Sequence, residues 1–180
     1  MEEEDIKMIL PIQLQELKLY NNWVVYRNFK HGKLPFNPIT HLAVKTNDPS
    51  TWSDYNSALL CYQNHSYDGI GFVFNNNQYI GIDLDNCISN NIIDPFALEI
   101  VNLINSYTEY SPSNKGLHIL CKSKLLYNIG IKRDNIEIYS YNRFFTISGN
   151  IYLNRMIEFR DRELQILLQK INDIPTQYRL

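Results

Sequence analysis

Apolar positions recur in two rhythms along the chain, and each predicts a different kind of element. Short alternating or continuous apolar runs predict strands at 23–27 (Trp23-Val24-Val25-Tyr26-Arg27), 70–74, 79–84, 116–121, 135–139 and 143–147. Helical spacing marks a short segment at 14–19 and a longer one at 51–62, where Trp52, Tyr55, Leu59 and Tyr62 share a face. Ser50 or Thr51 is placed to cap the start of that longer helix. A third helix is expected over 94–106, with Pro95 in its first turn, where a missing N–H costs nothing. The tail from 158 to 171 carries Leu164, Ile166, Leu167, Leu168 and Ile171 at helical spacing. Asn75-Asn76-Asn77 separates two apolar strands and predicts a hairpin. Strands outnumber helices and hairpins outnumber crossovers, so the expected class is α+β with a mainly antiparallel sheet.

Composition narrows the classes of function. The chain has 180 residues, 17 Lys plus Arg against 19 Asp plus Glu, and a formal net charge of -2. With 44% hydrophobic and 20% charged residues it has the make-up of a globular domain. A pI near 6.1 argues against a uniformly basic coat for nucleic acid but leaves room for a local basic track. No apolar run approaches the ~18 residues of a membrane span. The acidic start Met1-Glu2-Glu3-Glu4-Asp5 lacks the positive end of a secretory signal. Cys61, Cys87 and Cys121 are scattered and form no Cys-x-x-Cys pair, which argues against a disulfide framework or a zinc ribbon and sets a reducing cytoplasm as the default. Any metal must then be held by carboxylates.

Side-chain parity singles out the polar residues worth following. In Tyr79-Ile80-Gly81-Ile82-Asp83-Leu84-Asp85, the apolar Ile80, Ile82 and Leu84 share one face, and Asp83 and Asp85 share the other. Carboxylates spaced about 7 Å along one face can grip a small cluster of hard cations, although Asp85-Asn86 also reads as a plain strand end. Ser111-Pro112-Ser113-Asn114-Lys115-Gly116 precedes a strand and gathers hydroxyl, N–H and ammonium donors suited to phosphate oxygens, as a simple loop also could. His118 alternates away from Leu117 and Ile119. Glu137 sits between Ile136 and Ile138 in mid-strand, where an acidic residue is depleted unless paired, exposed or metal-bound. Arg143 follows, suited to an ion pair with Glu137 or Asp134, or to phosphate. On one polar sheet face these carboxylates, His, Lys and Arg would be the inventory for nucleotidyl transfer.

In order and spacing, Asp83-Leu84-Asp85, Ser113-x-Lys115-Gly116-x-His118 and Ile136-Glu137-Ile138-Tyr139 resemble the three motifs of the archaeo-eukaryotic primase superfamily. The likeness is nearest to the primase-polymerase (prim-pol) domains of bacterial plasmids, phages and mobile islands. Gly32-Lys33-Leu34-Pro35-Phe36-Asn37-Pro38, Asn47-Asp48-Pro49-x-Thr51-Trp52, Gly69-Ile70-Gly71-Phe72-Val73 and Arg143-Phe144-Phe145-Thr146-Ile147-Ser148-Gly149 also resemble that group, so the likeness runs from about Trp23 to Gly149. Asn114 stands where related prim-pols usually have Gly, and Asn tolerates the same left-handed backbone. Ser148 stands for a more usual Thr and keeps the hydroxyl.

The resemblance implies an α+β fold, with an RRM-like palm and a smaller N-terminal α/β lobe. The expected division is a lobe at about 1–65, the palm at about 66–155 and a C-terminal helix in 156–180. It implies a template-dependent nucleotidyltransferase, a DNA primase or polymerase, adding nucleotides to a 3′-hydroxyl with release of pyrophosphate. Asp83, Asp85 and Glu137 would be the catalytic metal ligands, for two Mg²⁺ or Mn²⁺ ions, with no zinc or iron–sulfur cluster. Ser113, Lys115, His118 and Arg143 would bind the nucleotide phosphates. The implied partners are single-stranded DNA template, a primer or initiating nucleotide, dNTP or NTP, and a replicative helicase or accessory DNA-binding protein, with no membrane. The implied place is the cytoplasm, in replication of a plasmid, phage or mobile element. No Gly-x-x-x-x-Gly-Lys-Ser/Thr motif is present, so the chain is expected to be a free-standing catalytic domain or part of a longer protein.

Two other functions compete. A replication-initiator nickase needs a His-hydrophobic-His pair, and Leu117-His118-Ile119-Leu120 supplies one His. A non-catalytic single-stranded nucleic-acid module could stack bases on Tyr139, Tyr141, Phe144 and Phe145. The balanced charge also hides a split. The span 81–110 holds Asp83, Asp85, Asp94, Glu99 and Glu109 with no Lys or Arg, whereas 111–145 holds Lys115, Lys122, Lys124, Lys132, Arg133 and Arg143 against Asp134 and Glu137. Such a chain should hold nucleic acid weakly and in a salt-sensitive way.

Overall fold

The computed structural model describes residues 10–75, 78–124 and 129–173. Its elements are mixed, with mostly antiparallel strands and few helices, as the alternating pattern predicts. They divide into two compact units: the described residues up to Phe74 together with Asn142–Gly149, and those of Asn75–Tyr141 with those from Asn150 onward. The first unit thus takes in chain on both sides of the boundary expected near residue 65.

The first unit is built on a four-stranded sheet. Its strands are β1 (Trp23–Phe29), β2 (Gly32–Phe36), β3 (Gly69–Asn75) and β11 (Tyr141–Ile147), in the order β11-β3-β1-β2. Strand β1 is buried over Trp23–Tyr26 and exposed from Arg27 on, so one half belongs to the core and the other reaches water. Trp23 anchors the core: its ring meets Tyr55 at 5.0 Å and Phe72 at 5.3 Å edge-on, and its indole N–H donates to the Leu17 carbonyl at 3.1 Å. A buried indole needs such a partner. Leu17 lies in the predicted N-terminal helix, which is a 3-10 helix over Ile12–Leu19.

Helix α1 (Tyr55–Asn64) starts later than the spacing predicts. Ser50 and Thr51 do not cap it. They fall in a separate short turn, Pro49–Thr51, and the chain then runs extended through Trp52, which is buried. The cap is Asp54, whose carboxylate accepts the Ser57 N–H at 2.9 Å and its hydroxyl at 2.7 Å. These bonds hold the Asp54 carboxyl below its usual value.

The second unit carries a six-stranded sheet, ordered β12-β7-β8-β4-β10-β9. These are β4 (Tyr79–Leu84), β7 (Tyr107–Tyr110), β8 (Leu117–Lys122), β9 (Gly130–Arg133), β10 (Ile136–Tyr139) and β12 (Ile151–Leu153); β5 (Ile88–Ser89) and β6 (Ile92–Ile93) form a separate small hairpin. One sheet face is apolar: Ile80, Ile82 and Leu84 of β4, Leu117, Ile119 and Cys121 of β8, and Ile136 and Ile138 of β10. They pack in one cluster with residues of α2 (Pro95–Ile104) and α3 (Asp161–Asp173), including Ile100, Ile104, Leu164 and Leu167. Asp94 caps α2 through the Phe96 and Ala97 N–H groups. The remainder of the expected C-terminal tail, 174–180, lies outside the described residues.

The predicted hairpin between 70–74 and 79–84 does not form. Strand β3 pairs within the four-stranded sheet and β4 within the six-stranded one. Both are interior strands with a neighbour on each side, and both are almost wholly buried, so each needs two partners from its own sheet. Asn76 and Asn77 of the expected turn lie outside the described residues. No helix among the described residues is long and apolar enough to cross a membrane.

Candidate active site

With the apolar face of the six-stranded sheet committed to α2 and α3, alternation sends the polar mid-strand residues to the other face. The register then aligns them. Glu109 of β7 lies opposite His118 of β8, His118 opposite Asp83 of β4, Asp83 opposite Glu137 of β10, and Glu137 opposite Lys132 of β9. Five neighbouring strands thus contribute one polar residue each to a single lateral row. Cross-strand partners stand about 5 Å apart at Cβ, so such a row holds its groups within mutual reach.

The row is buried at one end and opens toward the other. Glu109 and His118 are 1% and 3% exposed, while Asp83 is 23% exposed at its side chain. His118 bridges the two acids, with Nδ1 3.5 Å from a Glu109 oxygen and Nε2 3.6 Å from a Asp83 oxygen. Buried carboxylates are tolerated only with such partners. The other Glu109 oxygen accepts the Tyr107 hydroxyl at 2.8 Å. Burial, together with that carboxylate, pushes the Tyr107 phenol well above its ordinary range, so it stays a donor. At the open end, Glu137 accepts the Tyr139 hydroxyl at 2.7 Å and pairs with the exposed Lys132 ammonium. The hydrogen bond that Lys132 donates to Glu137 raises the Lys132 pKa.

Asp85 departs from the parity expectation, because β4 ends at Leu84. Its N–H donates to the Asn135 carbonyl, its side chain is exposed, and Asn86 turns the chain through a left-handed φ of 51°. Asp85 lines a cavity of about 290 Å³, alongside Asp94, Phe96, Arg133 and Asp134. Asp83, Asp85 and Glu137 offer carboxylate oxygens, the donors that suit hard divalent cations. Among the described residues no three Asp, Glu, His or Cys side chains converge as a ready-made metal cage.

The loop joining β7 to β8 is closed by its own hydrogen bonds. Ser111 N–H donates to the Gly116 carbonyl, Gly116 N–H donates to Ser111 Oγ at 3.1 Å, and Ser113 Oγ lies 3.0 Å from Ser111 Oγ. Asn114 has a φ of 55°, the left-handed conformation expected of it. Gly116 is required by space: a Cβ there would lie 2.5 Å from the Leu84 carbonyl oxygen. The loop thereby holds Ser113 and Lys115, both exposed, at the start of the strand that carries His118.

Arg143 does not share this sheet. It lies exposed on β11, in the four-stranded sheet, so a single polar face bearing the carboxylates, His118, Lys115 and Arg143 is not what forms. Its strand pairs with β3 and leaves the other sheet to end at β9. Conversely, sequence reasoning passed over Glu109, Tyr107 and Lys132. The signal was present in Tyr107-Thr108-Glu109-Tyr110, a four-residue alternation between helix and loop, but too short to stand out.

No family model matches the chain. Over 169 residues it is 30% identical to the DNA primase-polymerase of Nitratiruptor phage NrS-1, a stretch covering 89% of this chain and 23% of that protein. The chain therefore spans about a quarter of the length of the relative it matches. The likeness to that primase-polymerase runs along nearly the whole chain rather than at three motifs alone.

Proposed function

We propose that this chain is the catalytic domain of a DNA primase or polymerase, with the archaeo-eukaryotic primase fold, transferring nucleotides to a 3′-hydroxyl. The observation that carries the reading is the cross-strand pair Asp83–Glu137, with His118 on the other side of Asp83. Antiparallel pairing places two carboxylates side by side on one face, which is the support a hard divalent cation needs.

Asp83 and Glu137 would hold Mg²⁺ or Mn²⁺, with Asp85 joining from the strand end. Ions held there would lower the pKa of the attacking hydroxyl and neutralise charge on the departing pyrophosphate. Glu137 is held meanwhile by Lys132 and Tyr139, and Lys132, exposed at its side chain, is free to swing out as the carboxylate takes up a new partner. His118, fixed between Glu109 and Asp83, would present an imidazole toward the triphosphate. Ser113 and Lys115 would supply hydroxyl and ammonium donors from the adjoining loop, where a rigid backbone reduces the cost of ordering them.

The setting is replication of a phage, plasmid or related element, in the cytoplasm, with a helicase or other DNA-binding partner supplying further grip. The phage relative and the near-neutral charge support that reading. A primer-extension assay on single-stranded template, with dNTPs or NTPs and Mg²⁺ or Mn²⁺, tests the proposal. Wild type should incorporate nucleotide, and the Asp83→Ala/Asp85→Ala variant should not. Equal incorporation by both would remove the site assignment.

A further inference from the structure

The first unit has a pocket of its own, of about 470 Å³, lined by Arg27, Phe36, His41, His65, Ser66 and Tyr67. No acidic side chain lines it. Asp68 is the nearest carboxylate along the chain, and it is turned to the Asn28 N–H at 2.6 Å. Arg27 lies where β1 leaves the core, with its guanidinium 4.6 Å from the Tyr67 ring centre and its Nε donating to the Ser66 carbonyl at 3.1 Å. Among the described residues its terminal nitrogens make no hydrogen bond, although they are the fork that recognises phosphate oxygens.

The aromatic wall is equally ordered. His41 stacks within 7° of parallel on Tyr67, with Nδ1 3.0 Å from the Tyr67 hydroxyl, and His65 meets His41 edge-on at 4.9 Å. His41 holds a φ of 58°, unusual for a non-glycine residue. The loop is pinned there by Asn37: its carbonyl accepts the His41 N–H, its Oδ1 accepts the Ile39 and Thr40 N–H groups, and its Nδ2 donates to the Thr51 carbonyl. Both imidazoles are exposed, so their ring faces are accessible. Burial raises the Tyr67 pKa, which keeps its hydroxyl protonated and able to bond His41.

We infer that this pocket is a binding site for a single-stranded nucleic acid, taking one backbone phosphate on Arg27 and one base against the His41–His65 rings. A guanidinium fork beside open ring faces, with no lining carboxylate, matches a nucleotide better than a bare anion, which would need no rings. The inference rests on the primase-polymerase reading only for choosing nucleic acid among phosphorylated ligands. It also supplies a local grip that the chain's overall charge does not.

The test is fluorescence anisotropy of labelled oligo(dT) with the full chain, in EDTA and without nucleotides, so that catalysis plays no part. Arg27→Ala should weaken binding about tenfold and make the log–log salt slope shallower by about 0.7, the loss of one phosphate contact to a single strand. His65→Ala, an exposed side chain, should weaken binding about fivefold while leaving the salt slope unchanged. Unaltered affinity and slope in both variants would overturn the site, and so would displacement of the oligonucleotide by equimolar dTTP, which would make the ligand a free nucleotide. Loss of primer extension in wild type with Arg27-sensitive binding intact would instead sink the catalytic reading and leave this pocket standing.

Discussion

The two sheets use the same antiparallel pairing to opposite ends. In the six-stranded sheet the polar residues fall in mid-strand, and the register lines up Glu109, His118, Asp83, Glu137 and Lys132 across five strands. In the four-stranded sheet the middle of the structure is aromatic, with Trp23, Phe72 and Phe74 fully buried, and the charge of Arg27 sits where β1 emerges into water. The difference teaches where chemistry and grip are built. At the buried end of the row, Glu109, His118 and Asp83 stand 3.5 to 3.6 Å apart and are oriented before any substrate arrives. A charge at a strand's exposed end is solvated, adaptable and suited to binding.

The sharpest way to test that contrast is to remove the carboxylates. Asp83→Ala/Asp85→Ala should lower nucleotide incorporation by on the order of 10³-fold or more in primer extension, with little change in oligo(dT) binding in EDTA. If binding falls as far as activity, the two roles are not separable. Next in size is Trp23→Ala, which deletes the aromatic anchor and its indole bond to Leu17. It should cost about 3–5 kcal/mol in urea denaturation, since a large cavity opens among rings that cannot collapse into it.

Gly116→Ala strikes the charged sheet through its backbone. The added Cβ would meet the Leu84 carbonyl at 2.5 Å, so β8 must shift against β4, at a cost of about 1–3 kcal/mol measured the same way. Nucleotide incorporation should fall as well, because the shift moves His118 relative to Asp83. The smallest effects compare the two helix caps: Asp54→Ala in the first unit and Asp94→Ala in the second should each cost about 1 kcal/mol.

Asp54 adds a pH signature. Its hydrogen bonds to Ser57 depress its pKa from the ordinary 3.8, so its contribution is fully present above that value. It is lost as the pH falls through the lowered one. Thermal melting of wild type between pH 5 and 2 should therefore show an acid-dependent loss that Asp54→Asn lacks.

Much of this was legible from the chain alone. Ile80, Ile82 and Leu84 against Asp83, and Leu117 and Ile119 against His118, declare their two faces by alternation. The helices over α2 and α3 follow from Pro95 and from the spacing of Leu164, Leu167 and Ile171. What misled was reach. Asn75-Asn76-Asn77 looked like a turn because a local signal cannot report that β3 and β4 each already have two neighbours. Arg143 looked like part of the carboxylate face because it follows Glu137 closely in sequence, yet β11 pairs into the other sheet. Ser50 and Thr51 looked like caps because they precede a helical pattern, whereas the burial of Trp52 keeps the chain extended until Asp54.

The sequence by itself determined which side of each strand is polar, since the two-residue period follows from covalent geometry within one strand. Only the tertiary structure decided that Asp83 faces Glu137 on one side and His118 on the other, and that Glu109 stands behind. Register and sheet order are settled between strands distant along the chain, by hydrogen-bond pairing and by the need to bury both faces of the interior strands.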